Sequence, residues 1–599
     1  MRILHCNTLV IGAGAAGLNA ADELKKAGVD VLLIADDFAA GTSRNAGSDK
    51  QTYYKLSLCG SGAESVEAMA QSFYAGGGMH GDHAYAMAAN SARSFMKLAL
   101  LGVPFPCNEW GEFVGYQTDH DTTQRATSAG PLTSKMMVER LSESVAARGV
   151  RREDGLKLLS ILTDGKNRVC GALFHGQDGF TAVNARFVIL CTGGAATAYE
   201  RVVFPVQQQG ASGAAIHAGA ACNNLCYWQY GLASLNVRWN VSGSYQQAIP
   251  RYTDGKNEFL QPFFRDRGDM LDSVFLKGYQ WPFDARKLGG SSRVDMAVAA
   301  LNARGGHAYM DFTQEVDGGA FDALGDEARA YLENCGATQH TPIERLAAIN
   351  QKAIDFYASH GIDLHKEPLE VAVCAQHSNG GLLIDAWWRT SVQGLYAAGE
   401  CAGAFGMYRP GGSALNETQV GSLRAAMHII HHGGLEKNES EEAFLNAAQG
   451  DIARETAYFS RTASDARAAR VLSQVRADMD AYAGAMRDLD KMREMLARVQ
   501  AYLDEGIAGS TPEETAELRD TLLVQRAALS AMLCQAQFSG EAGHGFVRRS
   551  VAKDAPDAKN FAFETRGMET RAVALRPLPQ GGGWFETVWR RYLNDEVYG

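Results

Sequence analysis

The chain has 599 residues, of which 46% are hydrophobic and 21% charged, and its formal net charge is −11. That length exceeds one ordinary core, so roughly two to four domains are expected, and the composition is that of a globular chain rather than a disordered or fibrous one. The acidic balance argues against a dedicated nucleic-acid binder and against docking on an anionic membrane surface. The 11 cysteines are scattered, and the closest pair, Cys222 and Cys226, has no second pair to complete a cluster. They read as small buried hydrophobes, with no metal site and no disulfide framework. The first residues, MRILHCNTLVIG, pass straight into a strand, and no uncharged apolar run of about 20 residues is present to span a bilayer. A cytoplasmic protein without direct membrane insertion is expected.

Residues 8–36 read as a buried strand, a glycine turn, an amphipathic helix and a second apolar strand. Gly12, Gly14 and Gly17 make GxGxxG in that setting. The first glycine allows a tight turn, the second lets backbone approach a pyrophosphate, and the third permits close helix–strand packing; the helix N-terminus aims its partial positive charge at the phosphate. A bound dinucleotide is expected, with Ala15 and Ala16 opening the helix. The acid that usually follows the second strand falls at Ala35, with Asp36 and Asp37 just beyond, which leaves open the group that binds the adenosine ribose.

Residues 41–55, rich in small and polar side chains and including Ser43 and Ala46, form a loop directed towards the cofactor crevice. Residues 64–101 are largely helical, and 136–147 form another helix. A small meander follows (158–162, 169–174, 180–183) with Asp164-Gly165 and Asp178-Gly179 turns. It leads into the strand 187–190, which closes on Thr192-Gly193-Gly194. From about residue 221 the texture changes: 236–279 has little periodicity, then a helix (292–303), a strand (307–312) and two helices (324–334, 342–360) suggest an inserted α+β domain. A second cofactor-facing run begins near residue 371, with a strand ending at Gly399-Glu400, a glycine-rich segment that includes Gly412, and a helix over 416–432. Three separated glycine turns brought to one place require a large extended cofactor. Helices are expected at 441–449, 463–483, 487–505 and 511–536, with a strand at 569–575 and a short helix at 584–594.

GAGAAG, VILCTGG, HSNGG, LYAAGE and YRPGGSAL, in that order, resemble the flavoprotein subunits of succinate dehydrogenase and fumarate reductase, a family that includes L-aspartate oxidase and the flavin subunit of adenylylsulfate reductase. The resemblance implies an α/β fold: a Rossmann-like FAD-binding domain (1–220 and 371–435), an inserted α+β capping domain (221–370), a C-terminal helical domain (436–545) and a tail (546–599). It implies FAD rather than NAD. Glu400 then matches the acid on the ribityl or ribose hydroxyls, and Ser413, Ala414 and Leu415 match the segment near the isoalloxazine ring. Arg293 matches the proton-donating arginine, His377 and Arg409 match the pair that grips a substrate carboxylate, and Thr253-Asp254 resembles the Thr-acid pair that starts the proton relay. Two departures stand out. Gly231 replaces the histidine that helps bind a second carboxylate, and Ser43-Arg44 stands where some members carry the histidine of covalent FAD, so non-covalent FAD is expected.

The expected activity is an FAD-dependent oxidation or reduction of a carbon–carbon bond next to a carboxylate, on a small carboxylic acid other than plain fumarate. The alternatives are an amino-acid oxidase, an adenylylsulfate-reductase-like protein (through Gln51-Thr52-Tyr53) and an electron-transfer flavoprotein. The chain holds no iron–sulfur or haem motif, so an iron–sulfur or other electron-donor partner is expected.

Overall fold

The computed structural model describes all residues except 61, 119–120, 209, 435–440, 463–464, 540–542, 551–556, 595 and 597–599. The first two residues of the helix expected at 463–483 therefore lie outside the described residues.

The apolar strand Arg2–Ile11 pairs in parallel with Val31–Ile34 on one side and with Gly179–Leu190 on the other. Among the described residues these belong to a seven-stranded sheet, ordered Arg151–Glu153, Val31–Ile34, Arg2–Ile11, Gly179–Leu190, Val169–Gly176, Lys157–Thr163, with Leu395–Ala397 also on Gly179–Leu190. Gly179–Leu190 is one strand where the sequence suggested two. Its first half pairs antiparallel in the meander, while its last residues pair in parallel with Leu395–Ala397. Both expected meander turns form on glycines with positive φ, Gly165 and Gly179. Val31–Ile34, Leu395–Ala397 and the second halves of Arg2–Ile11 and Gly179–Leu190 are largely buried, the hydrophobic runs that a covered parallel sheet demands.

The helix Ala15–Lys26 packs on Ser413–His431. The helical stretch expected over 64–101 is two helices, Val66–Ala75 and Gly81–Leu100, separated by a glycine run in which Gly77 and Gly78 have positive φ. A second, five-stranded sheet has the order Trp239–Asn240, Trp228–Ser234, Leu369–Ser378, Ala308–Asp311, Arg251–Thr253. Its apolar cluster runs from Leu232 to Val371 and includes Trp239, Tyr245, Phe275 and Tyr357. Helices Asp465–Tyr482, Leu489–Glu505 and Pro512–Phe538 share the first sheet's cluster through residues such as Val475, Met492, Val524 and Met532. The tail strand Glu569–Ala574 has a hairpin partner, Phe561–Arg566, which also pairs with Cys222–Asn223. The expected terminal helix begins with a π turn, Trp584–Trp589, before the α turn Arg590–Leu593. No described helix is long and apolar enough to cross a membrane.

Candidate active site

The three glycine turns meet. Ile11, Leu190 and Ala397 are in register at the carboxyl ends of adjacent parallel strands, so the turns after them open on one side of the sheet. That is the edge at which open α/β sheets bind ligands. A cavity of about 550 Å³ runs along it. At one end lie Ala35, Asp36, Asp37 and Lys157; at the other lie Tyr279, Trp281, Gln376, His377 and Arg409.

Gly12, with φ +107°, turns so tightly that a Cβ would overlap the Cys191 carbonyl. Two long helices begin at the cavity without a side-chain cap. Ala15–Lys26 starts after Gly14 and Ser413–His431 after Gly412, whose φ is +84°, and neither has an acid in its first turn. Two macrodipoles thus face the same space, with no N-cap side chain in front of either, a favourable setting for an anionic dinucleotide. The Ala15 N–H donates to Ser43 Oγ at 3.3 Å. The Thr192 hydroxyl and Gln208 Nε2 are buried without a hydrogen-bond partner while their residues line the cavity. Orphaned polar atoms of this kind are what a bound ligand satisfies.

Of the cofactor residues expected from the sequence, Gly12, Gly14, Ala15, Ala16, Ser43, Ala46, Thr192, Gly193, Gly399, Glu400, Gly412, Ala414 and Leu415 line the cavity. Gly17, Gly194 and Ser413 stand behind it. Gly17 packs against Gly12, Gly194 against the Glu400 carboxyl, and Ser413 bonds the Pro410 carbonyl at 2.6 Å. At the open question of the ribose group, Asp36 faces the cavity and lies 3.6 Å from the Lys157 ammonium.

Two carboxyls, the part-buried Glu400 and the buried Glu417, flank the glycine turns. Glu400 accepts from the Ser378 N–H at 2.8 Å, yet burial pushes its pKa up to about 7 despite the opposing pull of Arg409. Glu417, which sequence reasoning missed, accepts from Trp388 Nε1 at 2.7 Å, and burial raises it to about 8. Helical periodicity from Ser413 would have put it one turn inside the helix, but nothing in the sequence showed that this turn faces a cavity.

His377 and Arg409 come together, with Arg409 Nε 3.4 Å from His377 Nδ1. Burial lowers the Arg409 pKa to about 10, so the guanidinium stays charged at neutral pH. It lies 5.7 Å from the Phe405 ring centroid and has no carboxylate within ion-pairing distance among the described residues. Burial, and then the neighbouring Arg409, push His377 well below its ordinary range, so the ring is neutral. Asn379 spends its amide N–H on the Gly406 carbonyl, which leaves its Oδ1 to face His377 Nδ1 at 3.1 Å. Nδ1 thus faces both the Arg409 Nε–H, which donates to it, and Asn379 Oδ1, while Nε2 has no hydrogen-bond partner.

Arg293, Thr253 and Asp254 are not brought into this group. The Arg293 guanidinium forks onto Asp269 at 2.8 and 2.6 Å and lies 4.5 Å from the Phe264 ring centroid. Thr253 is buried on a strand of the second sheet, and Asp254 is exposed, its carboxylate accepting from the N–H groups of Lys256 and Asn257. Each has found local partners within the second sheet's unit, away from the cavity wall.

Fold and cavity define a dinucleotide-binding oxidoreductase. The chain belongs to the family described as FAD binding domain, whose sequence profile matches residues 7–415, and FAD is its cofactor. It is 27% identical to the L-aspartate oxidase of Streptomyces coelicolor over 71% of this chain and 68% of that protein. It is 25% identical to one chain of the fumarate reductase (CoM/CoB) of Methanothermobacter marburgensis, over 71% of this chain and 72% of that one. Among solved structures, a quinol-fumarate reductase with menaquinol matches at TM-score 0.76 and 18% identity, covering 97% of this chain and all (100%) of that chain. Adenylylsulfate reductase from Archaeoglobus fulgidus matches at 0.65 and 16%, covering 97% and 96%. These two likenesses show the fold. The chain is an FAD-dependent oxidoreductase of this family, with L-aspartate oxidase and fumarate reductase among its relatives.

Proposed function

We propose that this protein oxidises or reduces a carbon–carbon bond adjacent to a carboxylate, on a small organic acid other than plain fumarate. The observation that carries the reading is Arg409, a part-buried guanidinium on the cavity wall with no ion-paired carboxylate among the described residues. Glu400 acts on this cation without forming an ion pair with it, so a bound anion relieves the remaining cost of its desolvation, and the planar fork of arginine suits a carboxylate through parallel hydrogen bonds. A substrate carboxylate completes the pair that the chain leaves open.

FAD would be held, without a covalent bond, by the glycine turns and the two helix N-termini at Ala15 and Ser413, and would supply hydride chemistry there. The chain's own residues do the rest. Arg409 fixes the carboxylate and withdraws charge from the conjugated bond. Neutral His377, held between Arg409 and Asn379, presents its unpartnered Nε2 to a polar group of the substrate. The walls formed by Phe405 and Tyr408 exclude water beside them. Arg293, engaged by Asp269, is given no step in this arrangement. Electrons come from a separate partner, an iron–sulfur protein or another donor, and the protein works in the cytoplasm.

The test is anaerobic. The purified yellow protein is reduced with dithionite, enoic acids are added singly, and the return of flavin absorbance is followed. Rapid reoxidation by one of them, lost in Arg409→Ala, is expected. Reoxidation by air alone, with hydrogen peroxide formed from amino acids, would transfer the assignment to an amino-acid oxidase.

A further inference from the structure

Gln376 stands beside His377 on the cavity wall, 8% exposed, and neither its amide oxygen nor its amide nitrogen has a hydrogen-bond partner. Side chains of a regular strand alternate, so neighbours such as Gln376 and His377 would point to opposite faces. Here the register slips. Gln229 pairs with His377 and the next residue, Tyr230, pairs with Ala375, which leaves Gln376 as the extra residue of a bulge. A bulge of this kind re-aims a side chain, and such bulges gather next to active sites. Both Gln376 and His377 face the cavity as a result.

The opposite strand makes room for it. A Cβ on Gly231 would stand 2.9 Å from Gln376 Nε2, 3.1 Å from its Oε1 and 3.1 Å from the Trp281 ring. Trp281 Nε1 and Asn240 Oδ1, both of residues on the cavity wall, likewise have no partner. Positive charge is scarce at this end. The lining holds one arginine, Arg409, and two lysines; Lys157 is paired with Asp36 at the far end of the cavity, and Lys50 adjoins the buried carboxylate of Asp49. The wall around Gln376 therefore offers neutral donors and acceptors and no second cation.

We propose that Gln376, in the space left by Gly231 and beside Trp281, binds the far end of the substrate as a neutral carboxamide-like edge, while Arg409 holds the carboxylate at the near end. The proposal rests on the carboxylate-directed reading of the site. A carboxamide carries an acceptor and a donor side by side, so its oxygen accepts from Gln376 Nε2 and its N–H donates to Gln376 Oε1. A second carboxylate offers acceptors only and would place its charge against Oε1. Sites built to hydrogen-bond a neutral group discriminate strongly, because the wrong ligand leaves buried polar atoms unpaired.

The test is calorimetric titration of the oxidised, FAD-loaded protein, without air, with succinate and with succinamate, which differ only at the far end. Succinamate is expected to bind at least about tenfold more tightly. Gln376→Leu, of similar volume, is expected to bring the two affinities within about threefold of each other while FAD content and the visible spectrum stay unchanged. Gly231→Ala, whose methyl presses on both amide atoms, is expected to lower the preference as well. Succinate binding as tightly as succinamate, or binding of neither, overturns the subsite. So does a Gln376→Leu protein that keeps the preference or that loses FAD, since the amide would then serve the fold or the cofactor. Titration reads binding and the reoxidation assay reads the reaction, so failure of one is separable from failure of the other.

Discussion

At the scale of single residues, Arg409 exchanges stability for binding. Replacing a part-buried cation that has no ion pair among the described residues by an apolar side chain of similar length relieves desolvation. Arg409→Met is therefore expected to raise the melting temperature of the cofactor-free protein while abolishing reoxidation by carboxylic acids; a lower melting temperature would show that the guanidinium is compensated. Arg409→Lys keeps the charge and loses the fork, and a rise of about 10- to 100-fold in the acid concentration needed for half-maximal reoxidation is expected, about 1–3 kcal/mol in a charge-assisted hydrogen bond. His377 and Arg409 were singled out by the resemblance, each standing beside a glycine run, and the fold brings the two together on the cavity wall. Gln376 was not, because strand alternation predicts the opposite face and a bulge has no reliable sequence mark. Arg293, Thr253 and Asp254 were placed by likeness of pattern, and pattern does not encode the competing partner: Asp269 for Arg293, and its own turn for Asp254.

At the scale of elements, the two uncapped helices carry the cofactor argument. Gly14 has an extended backbone, with φ −77° and ψ −172°, and a Cβ there would meet little but Ser43 Oγ at 3.4 Å. Aspartate is among the best residues at a helix N-cap, so Gly14→Asp is expected to leave the cofactor-free protein at least as stable as the parent. The same carboxylate would stand where an anionic cofactor meets the helix, and FAD affinity is expected to fall at least about 100-fold, read by flavin fluorescence titration. Loss of FAD together with loss of fold would refute this separation of roles. The elements themselves were largely legible: hydrophobic period and glycine punctuation located the parallel strands and most helices. The partner strand Phe561–Arg566 escaped because its pairing with Cys222–Asn223 joins segments more than three hundred residues apart, which no local period records.

At the scale of the whole molecule, burying Glu400 and Glu417 in the cofactor-free protein makes stability depend on pH. Both titrate ordinarily near 4.5 and are raised to about 7 and about 8 by burial. Below pH 4.5 folded and unfolded chains both hold the protons and the two groups contribute nothing. Between 4.5 and 8 the unfolded chain releases protons that the folded chain keeps, so stability falls as pH rises, and above 8 the loss is complete. The melting temperature of the cofactor-free protein is expected to decline from pH 5 to pH 8.5, and Glu417→Gln to flatten the upper part of that decline. A flat profile in the parent would contradict the burial argument.

The strand Gly179–Leu190, flanked by Arg2–Ile11 and Leu395–Ala397, sets a clock on biosynthesis. Its first neighbour leaves the ribosome well before it, its last only after some two hundred further residues have been made. At roughly 5–20 residues per second, the nascent protein waits about 20–80 s with its first glycine turn built and its third not yet synthesised. Flavin capture is thus a late event in the life of each molecule, and a chain halted before Leu395 would emerge colourless however well its opening segment had folded.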